Sequence, residues 1–394
     1  MPNTLLTPDQ ITREALRVLH QKLTFVGSIN RAYDNSFAQS GAKIGDTLRI
    51  RLPNQYTVRT GANLSAQDTV EQNTTLQVAT QRGVDLSFTS VDLTMDLDDF
   101  SRRIIQPAMA VLSASIEADA LQTMTRDVYQ AVNGIGSAIT FKRVLEGRKR
   151  LQDSLAPDGD RTALLNTLDN VDLVDALKGL FQSSEQIKKQ YREGVMGETG
   201  GFEFAETTHF TTQSRGTANT GYLSNSATAQ TGSSIAVDTG TGTINAGEII
   251  TFGGVFEVHP ETKVSTGRLQ QFVVTENYAG GSGNIQISPA IVATGGRQNV
   301  SNGVADNQAV TVLGTSGTAY GQSLVYHKDA FTFATADLVL PQGVDMASRQ
   351  VYDGISMRMV RQYNISDDTF PVRLDVLYGY RTIRPQLAAR ILAN

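Results

Sequence analysis

The sequence predicts an α+β chain interrupted by an inserted all-β domain, and three observations predict it. A long stretch, Asp96–Val132, places Phe100, Ile104, Ala108, Val111, Leu112, Ser115, Ile116, Leu121, Met124, Val128 and Val132 at the three-and-four spacing of one helical stripe. On both sides of it the period changes to two, as where Leu48, Ile50 and Leu52 alternate with Arg49 and Arg51. From Thr211 to Tyr320 the chain becomes rich in Gly, Thr, Ser and Val, with short alternating runs and almost no helical spacing.

The elements follow in order. Thr7, Pro8 and Gln10 form a capping box with proline at the first helical position, so a helix runs from Pro8 to Lys22 with Ile11, Ala15, Val18 and Leu19 on its stripe. Gly27–Asp46 is polar and weakly periodic and reads as an extended arm, which completes an N-terminal segment over 1–46. The alternating runs Leu48–Leu52 and Val84–Phe88, separated by the polar stretch RTGANLSAQDTVEQNTT, predict one long hairpin over 47–90 with a mobile tip. A two-stranded ribbon is marginal in isolation, so this one needs another subunit to lean on.

The helical stripe forms a spine over 91–134, with Arg102, Arg103, Gln106, Glu117, Arg126 and Asp127 on its other face. Asp96, Asp98 and Asp99 sit where carboxylates cap free N–H groups. Pro107 either opens a second helix or kinks a single one. Over 135–211 come an amphipathic helix (Thr140–Leu155), a short strand (Arg161–Asn166) and renewed helical spacing (Val171–Gly194). A glycine turn then leads into a strand with Phe202 and Phe204 on one side.

The insertion, 212–322, contains strands at Glu248–Phe252, Val255–His259, Gln270–Val274 and Asn284–Ser288. Gly253-Gly254, Ser265-Thr266-Gly267 and Gly280–Gly283 are the turns between them, in a small sandwich or barrel. Residues 323–362 and 363–394 return to the earlier style. Strands are expected at Tyr326–Leu338 and Ile355–Tyr363, the latter pairing with Pro371–Ile383 across a turn at Ser366-Asp367-Asp368.

Composition narrows the function. The chain has no cysteine, which excludes disulfides and thiolate metal sites and suits assembly in a reducing cytosol. A formal net charge of -5 argues against a nucleic-acid-binding module. The N-terminal MPNTLLTPDQITREAL has neither a basic nor an apolar leader region, and no apolar run reaches the ~18 residues of a membrane span.

No catalytic, cofactor or metal site is expected. His20, His209, His259 and His327 are scattered singly, without metal-ligand spacing. Asp92, Asp96, Asp98 and Asp99 lack the alternating oxygen ligands and central glycine of a calcium loop. Gly194, Gly197, Gly200 and Gly201 lack the Lys-Ser/Thr of a phosphate loop and read as a backbone turn. Arg148-Lys149-Arg150 and Lys188-Lys189 lie on predicted helices without interleaved aromatics, so they read as solvated or subunit-facing surfaces.

Five strings, DDFSRRIIQPAM (Asp98–Met109), REGVMGETGGFEFAET (Arg192–Thr207), GEIITFGGVFEVHPETKVSTGRLQQFVV (Gly247–Val274), LVYHKDAFTFATADL (Leu324–Leu338) and DDTFPVRLDVLYGYRTIRPQLAARI (Asp367–Ile391), stand within this order of parts. Together they resemble the major capsid (coat) proteins of tailed bacteriophages, and among these the short-tailed-phage coat family with an immunoglobulin-like insertion. The resemblance implies the tailed-phage capsid fold: 47–90 as the extended loop over a neighbouring subunit, 91–134 as the peripheral-domain spine, and 135–211 with 323–362 as the axial domain. It further places 212–322 as the inserted domain and 363–394 as peripheral strands. It implies self-assembly into hexamers and pentamers of an icosahedral virion shell, built in the host bacterial cytoplasm. Scaffolding protein and portal are the expected partners, with a cement protein as a further one, non-specific contact with packaged DNA, and no membrane. Some relatives cross-link the extended loop through lysine and asparagine; 47–90 has no lysine, so assembly is expected to be non-covalent. An encapsulin-like compartment and a β-rich tail or adhesion protein are the competing readings. The insertion counts against the first and the spine against the second.

Overall fold

The computed structural model describes residues 8–32, 46–59, 61–64, 66–68, 71–89, 101–177, 197–218, 221–352, 355–366 and 369–393. In chain order these form α1 (Pro8–Lys22), α2 (Phe25–Ser28), β1 (Asp46–Leu52), β2 (Gln72–Val78), β3 (Thr80–Thr89), a π turn (Ser101–Ile105) and α3 (Gln106–Asp127). Next come β4 (Ala131–Gly134), α4 (Phe141–Asp153), β5 (Arg161–Asn166), α5 (Thr167–Leu177), β6 (Glu198–Thr199), β7 (Phe202–Thr207) and β8 (Gln213–Ser214). The strands β9 (Leu223–Ser224), β10 (Gly232–Asp238), β11 (Ile249–Val258), β12 (Ser265–Val274), β13 (Gly283–Ile291) and β14 (Val310–Val312) follow. The chain closes with β15 (Ala319–His327), β16 (Phe331–Ala336), β17 (Met346–Tyr352), β18 (Ile355–Arg361), β19 (Thr369–Thr382) and β20 (Ala388–Ala393). The mixture is α+β. Two compact units result: Met1–Ile50 with Asn73–Leu121 and Phe331–Ile383, and Arg51–Gln72 with Gln122–Ala330 and Arg384–Asn394.

In the first unit, β19 is the axis of a five-stranded antiparallel sheet ordered β16-β19-β18-β17, with β3 also paired to β19. Helix α1 lies on β17 and β18, burying Ile11, Ala15, Leu16, Val18 and Leu19. The structure corrects the expected pairing of Leu48–Leu52 with Val84–Phe88. β1 pairs with β2, whereas Val84 and Leu86 of β3 oppose Leu374 and Val372 of β19. Two short apolar residues decide this: Leu76 and Val78 are fully buried with Ile50, Ala334, Ala336 and Leu377. β3 in turn gains a ten-residue partner within a multi-stranded sheet, which a two-stranded ribbon cannot match.

The spine is shorter than its sequence pattern. α3 has 22 residues, about 33 Å, and ends at Asp127; Val132 belongs to β4. The π turn precedes Pro107, so the helix loosens by one residue just where proline removes a donor. Its buried side is Ile105, Ala108, Met109, Leu112, Ile116, Ala120, Leu121 and Met124. Val111 is instead 68% exposed and Glu117 is 1% exposed, so these two exchange the sides read from the sequence while Ala108, Leu112, Ile116, Leu121 and Met124 keep theirs. By length and hydropathy Arg103–Asp127 is apolar enough to cross a membrane, a property it shares with core helices. The expected N-terminal arm beyond Ala32, the Asp92–Asp99 cluster and most of the helix read over Val171–Gly194 lie outside the described residues.

In the second unit a seven-stranded mixed sheet runs β4-β20-β15-β5-β7-β6, with β8 beside β15. β5 and β7 are parallel, joined through α5. Asn166 caps α5: its Oδ1 accepts from the Asp169 amide at 2.7 Å. Helix α4 packs on β15 and β20 so closely that a Cβ at Gly147 would stand 2.7 Å from Val325 Cγ2.

The insertion is a closed barrel. Six antiparallel strands run β14-β11-β12-β13-β10-β9, and β9 returns to the start of β14 through the Leu223–Ala309 bridge and Val310 N donating to Tyr222 O at 2.9 Å. Hydrogen bonds therefore run round the ring, where an immunoglobulin-like domain would divide into two facing sheets. Its core includes Tyr222, Ile235, Ile250, Phe252, Phe272, Ile285 and Val300. Gly253-Gly254 is not a turn but a bulge inside β11, with Gly254 at φ +73°, because the register with β12 slips between Thr251 and Phe256. The turn itself is His259–Val264, while Ser265–Gly267 belongs to β12. Likewise Tyr326–Leu338 is two strands, broken by a 3-10 turn at Lys328–Ala330.

Candidate assembly surfaces

Beyond β1 the ribbon continues as a polar tip held by side chains. Gln67 and Thr57 form a reciprocal pair, Thr57 N donating to Gln67 Oε1 at 2.8 Å and Gln67 Nε2 donating to Thr57 O. Arg59 reaches the carbonyls of Gly61 and Asn63. The tip's Gln55 passes against the barrel loop, where a Cβ at Gly296 would meet the Gln55 carbonyl oxygen at 2.5 Å. This bracing leaves Tyr56, Val58 and Leu64 at 55%, 93% and 88% exposure. Exposed apolar side chains on one element mark a candidate contact surface. In the first unit Val339, Val351 and Ile365 are further exposed apolar residues, and in the second Leu168 and Val171 stand out from α5.

Inside the first unit, carboxylates on the spine fasten other elements. Glu117 accepts the amides of Phe25 and Val26, each at 3.1 Å, and so caps α2. Burial pushes its pKa from 4.5 up to about 7, against the opposing pull of these backbone N–H groups. Asp119 accepts from Tyr378 Oη at 2.8 Å and stands 3.5 Å from Arg82, tying the helix to β19 and β3. Burial and the neighbouring Asp119 carboxylate both raise the Tyr378 pKa. Fully buried Asp375 holds Arg358 at 2.7 Å and Arg373 at 2.8 Å, so its charge is compensated twice.

In the second unit, four ties seat the barrel on the mixed sheet. Gln271 serves as a one-residue strand partner for β4: Ala131 N donates to its Oε1 at 2.8 Å and its Nε2 donates to Ala131 O at 3.1 Å. Arg268 bridges Glu257 on the barrel and Asp153 at the end of α4, which also binds Lys149 at 2.6 Å. Burial would raise the Asp153 pKa, but Lys149 and Arg268 bring it below the ordinary range. Glu248, fully buried, accepts from Gly216 N and Asn245 N and lies 3.7 Å from Arg215. An apolar patch of Ala131, Ile249, Val273, Tyr320 and Leu392 completes the seat.

The structure does not bring the candidates read from the sequence together. His209, His259 and His327 remain apart, and His259 Nδ1 accepts the amides of Glu261 and Thr262 within its own turn. Among the described residues no group of three or more His, Asp or Glu converges on one point. Gly200-Gly201 forms the turn of the β6–β7 hairpin, with φ of +61° and +79°. Gly194 and Lys188-Lys189 lie outside the described residues. Of the basic run on α4, Arg148 donates to Gly200 O at 3.1 Å and Lys149 binds Asp153. Sequence reasoning missed Glu117, Gln271 and Glu248, since each reads as an ordinary solvent-side polar residue.

A spine helix, two sheets, an inserted barrel and a ribbon with exposed apolar side chains make up the described chain. The chain belongs to the P22 coat protein family, whose profile, described as P22 coat protein - gene protein 5, matches residues 14–392. It is a tailed-phage major capsid protein with a structural role, and its place is the virion shell. No curated protein matches the chain. Among solved structures it is similar to one from Mycobacterium phage Che8, with 12% identity, 94% of this chain and 90% of that chain covered, and a TM-score of 0.46. The mature capsid of bacteriophage PhiM1 has 10% identity over 89% of this chain and 84% of that one, with a TM-score of 0.41. A virus-like particle from Pyrococcus furiosus has 8% identity over 97% of each chain and a TM-score of 0.36.

Proposed function

We propose that this coat protein closes its shell through non-covalent contacts alone, with the ribbon laid over a neighbouring subunit in hexamers and pentamers. The observation that carries the reading is the exposure of Tyr56, Val58 and Leu64 on a braced ribbon tip, in a segment without lysine. Burying such side chains against a second copy removes apolar surface from water. Residues 212–322 act as the inserted domain. The limits expected at 362 and 363 give way to those of the two units: the spine to Leu121 with Phe331–Ile383 acts as the peripheral domain, since β16 to β18 share a sheet with β19, and the mixed sheet, which includes β20, acts as the axial domain. Scaffolding protein and portal take part in assembly in the host cytoplasm, and a cement protein is a further partner. Packaged DNA is met only non-specifically, no membrane is involved, and no step requires catalysis, cofactor or metal.

The test is assembly followed by electron microscopy and sedimentation, with Val58→Asp and Leu64→Asp as variants. The unchanged chain is expected to give closed particles or tubes that dissolve in hot detergent to a single 42.5 kDa band. Each aspartate variant is expected to fold, by circular dichroism, and to remain unassembled. A covalent ladder from the particles, or normal shells from both variants, overturns the reading.

A further inference from the structure

The chain holds two Asn-Gly pairs, Asn133-Gly134 and Asn302-Gly303, and the fold treats them differently. An asparagine followed by glycine is open to attack on its own side chain, because glycine has no Cβ to obstruct the approach of its backbone nitrogen. Asn302 is exposed on the loop between β13 and β14, and its side-chain amide lies along the backbone. Oδ1 accepts from the Ser301 hydroxyl, and Nδ2 donates to Gly303 O at 3.1 Å. Cγ is thereby kept beside the Asn302–Gly303 peptide. Ser301 is itself fixed from β11: its Oγ accepts Phe256 N at 3.2 Å, which leaves its own proton for Asn302 Oδ1. Among the described residues Gly303 N donates to no acceptor.

The other pair is placed otherwise. Gly134 belongs to β4, in register with Ala393 of β20, and its carbonyl accepts both Ser137 N and Ser137 Oγ. Asn133 Oδ1 is turned to the Ile135 amide at 3.2 Å. Bringing Gly134 N onto Asn133 Cγ means lifting this strand end from its partner, whereas at position 302 no ladder has to open.

We propose that Asn302 is a site of spontaneous, backbone-assisted deamidation, with the Ser301 hydroxyl stabilising the oxyanion that forms on Oδ1. Gly303 N loses its proton to solvent base and bonds to Asn302 Cγ; the Cγ–Nδ2 bond breaks, and ammonia leaves with a proton from water. Water then opens the resulting succinimide at either carbonyl, giving aspartate or isoaspartate, with no change of oxidation state. A hydroxyl already aimed at the oxygen on which charge develops assists the first step. The consequence is local. The loop is stapled by Ser301 N donating to Phe256 O at 2.8 Å and by Val304 N donating to Gln230 O at 3.0 Å, so isoaspartate inserts an extra backbone carbon between two fixed points and adds a negative charge at the barrel's surface.

The test holds the full folded chain at mildly alkaline pH in heavy-oxygen water, with a parallel sample in urea, followed by trypsin digestion and mass spectrometry with electron-based fragmentation. The two pairs fall on separate peptides, Asp127–Lys142 and Gln298–Lys328. In the folded chain Asn302 is expected to convert to aspartate and isoaspartate carrying solvent oxygen while Asn133 keeps its amide; in urea both are expected to convert alike. Ser301→Ala, shown to be folded by circular dichroism, is expected to slow the folded-state reaction about tenfold, the effect of losing one hydrogen bond to the developing charge. Because that variant can also loosen the loop, the comparison of the two pairs in the unchanged chain is the deciding one. An Asn302 amide that lasts as long as that of Asn133 in the folded chain, conversion without isoaspartate, or an unchanged rate in Ser301→Ala overturns the assignment.

Discussion

Replacing Glu117 by glutamine gives the sharpest test of how the spine holds the N-terminal helices. Among the described residues its carboxylate meets no cationic partner and is satisfied by backbone amides, including those of Phe25 and Val26. Burial raises its folded pKa from 4.5 to about 7. As pH climbs from 4.5, the unfolded chain therefore loses this proton first while the folded chain keeps it. Stability contributed at this position falls through the window from 4.5 to 7 and is flat above it, by about 3 kcal/mol at 1.36 kcal/mol per pH unit. Glu117→Gln removes the titration and turns one acceptor into a donor that faces N–H groups, a pH-independent cost of about 1–3 kcal/mol. The difference in urea-unfolding free energy between the two proteins should thus change by about 3 kcal/mol between pH 4.5 and 7.5, with glutamine relatively better at the higher pH. Amide exchange at Phe25 and Val26 supplies the local readout and should quicken in the variant at acid pH. A difference that stays constant across the window would refute the reasoning, because it would mean that Glu117 titrates alike in the folded and unfolded chains.

Two substitutions test close packing in the second unit. Gly147→Ala sets a methyl 2.7 Å from Val325 Cγ2, so the overpacking cost of about 1–3 kcal/mol should exceed the helix-propensity gain of about 1 kcal/mol; the thermal midpoint should fall and Val325→Ala should restore it. Gln271→Leu leaves the Ala131 amide and carbonyl without their side-chain partner, for an expected loss of about 2 kcal/mol and faster amide exchange at Ala131; unchanged exchange there would show that the glutamine is dispensable.

Much of the fold is legible because local patterns carry it. The stripe of α1 and the apolar run of β5 coincide with Pro8–Lys22 and Arg161–Asn166, while the Thr7 cap lies outside the described residues. Alternation identifies a strand but not its partner. The nearest alternating run therefore looks like the mate of Val84–Phe88, whose true partner is β19, almost 300 residues away. Leu76 and Val78 are too few to announce β2, although both are fully buried. The double glycine in β11 has one composition for two geometries, turn and bulge, and only the register with β12 separates them. For the proposed assembly surface, the polar tip is the segment that the sequence also singles out. That Val58 and Leu64 stay exposed depends on bracing by Gln67 and Arg59, which spacing does not reveal.

The barrel's fold and its seating rest on different physics, and this bears on what a coat subunit can adjust. Its fold is set by its own apolar core, with Phe252 and Phe272 at a 5.6 Å ring separation and Gly240 kept bare because a Cβ would stand 2.2 Å from the Tyr222 ring. Its seating uses few apolar residues and mostly directional polar ties, at Arg268, Gln271 and Glu248. Polar ties stabilise less than a core but fix orientation, since each is satisfied in only one geometry. Among them Arg268, 26% exposed, is open to screening by salt, whereas fully buried Glu248 is not. Ionic strength therefore acts on the Arg268–Asp153 tie at α4 before it reaches the Glu248 tie at the barrel's entry strand, and it leaves the barrel core untouched. A shell made of many identical copies requires the same seating in each, and directional contacts that resist only wrong orientations meet that requirement without making the subunit's interior one rigid core.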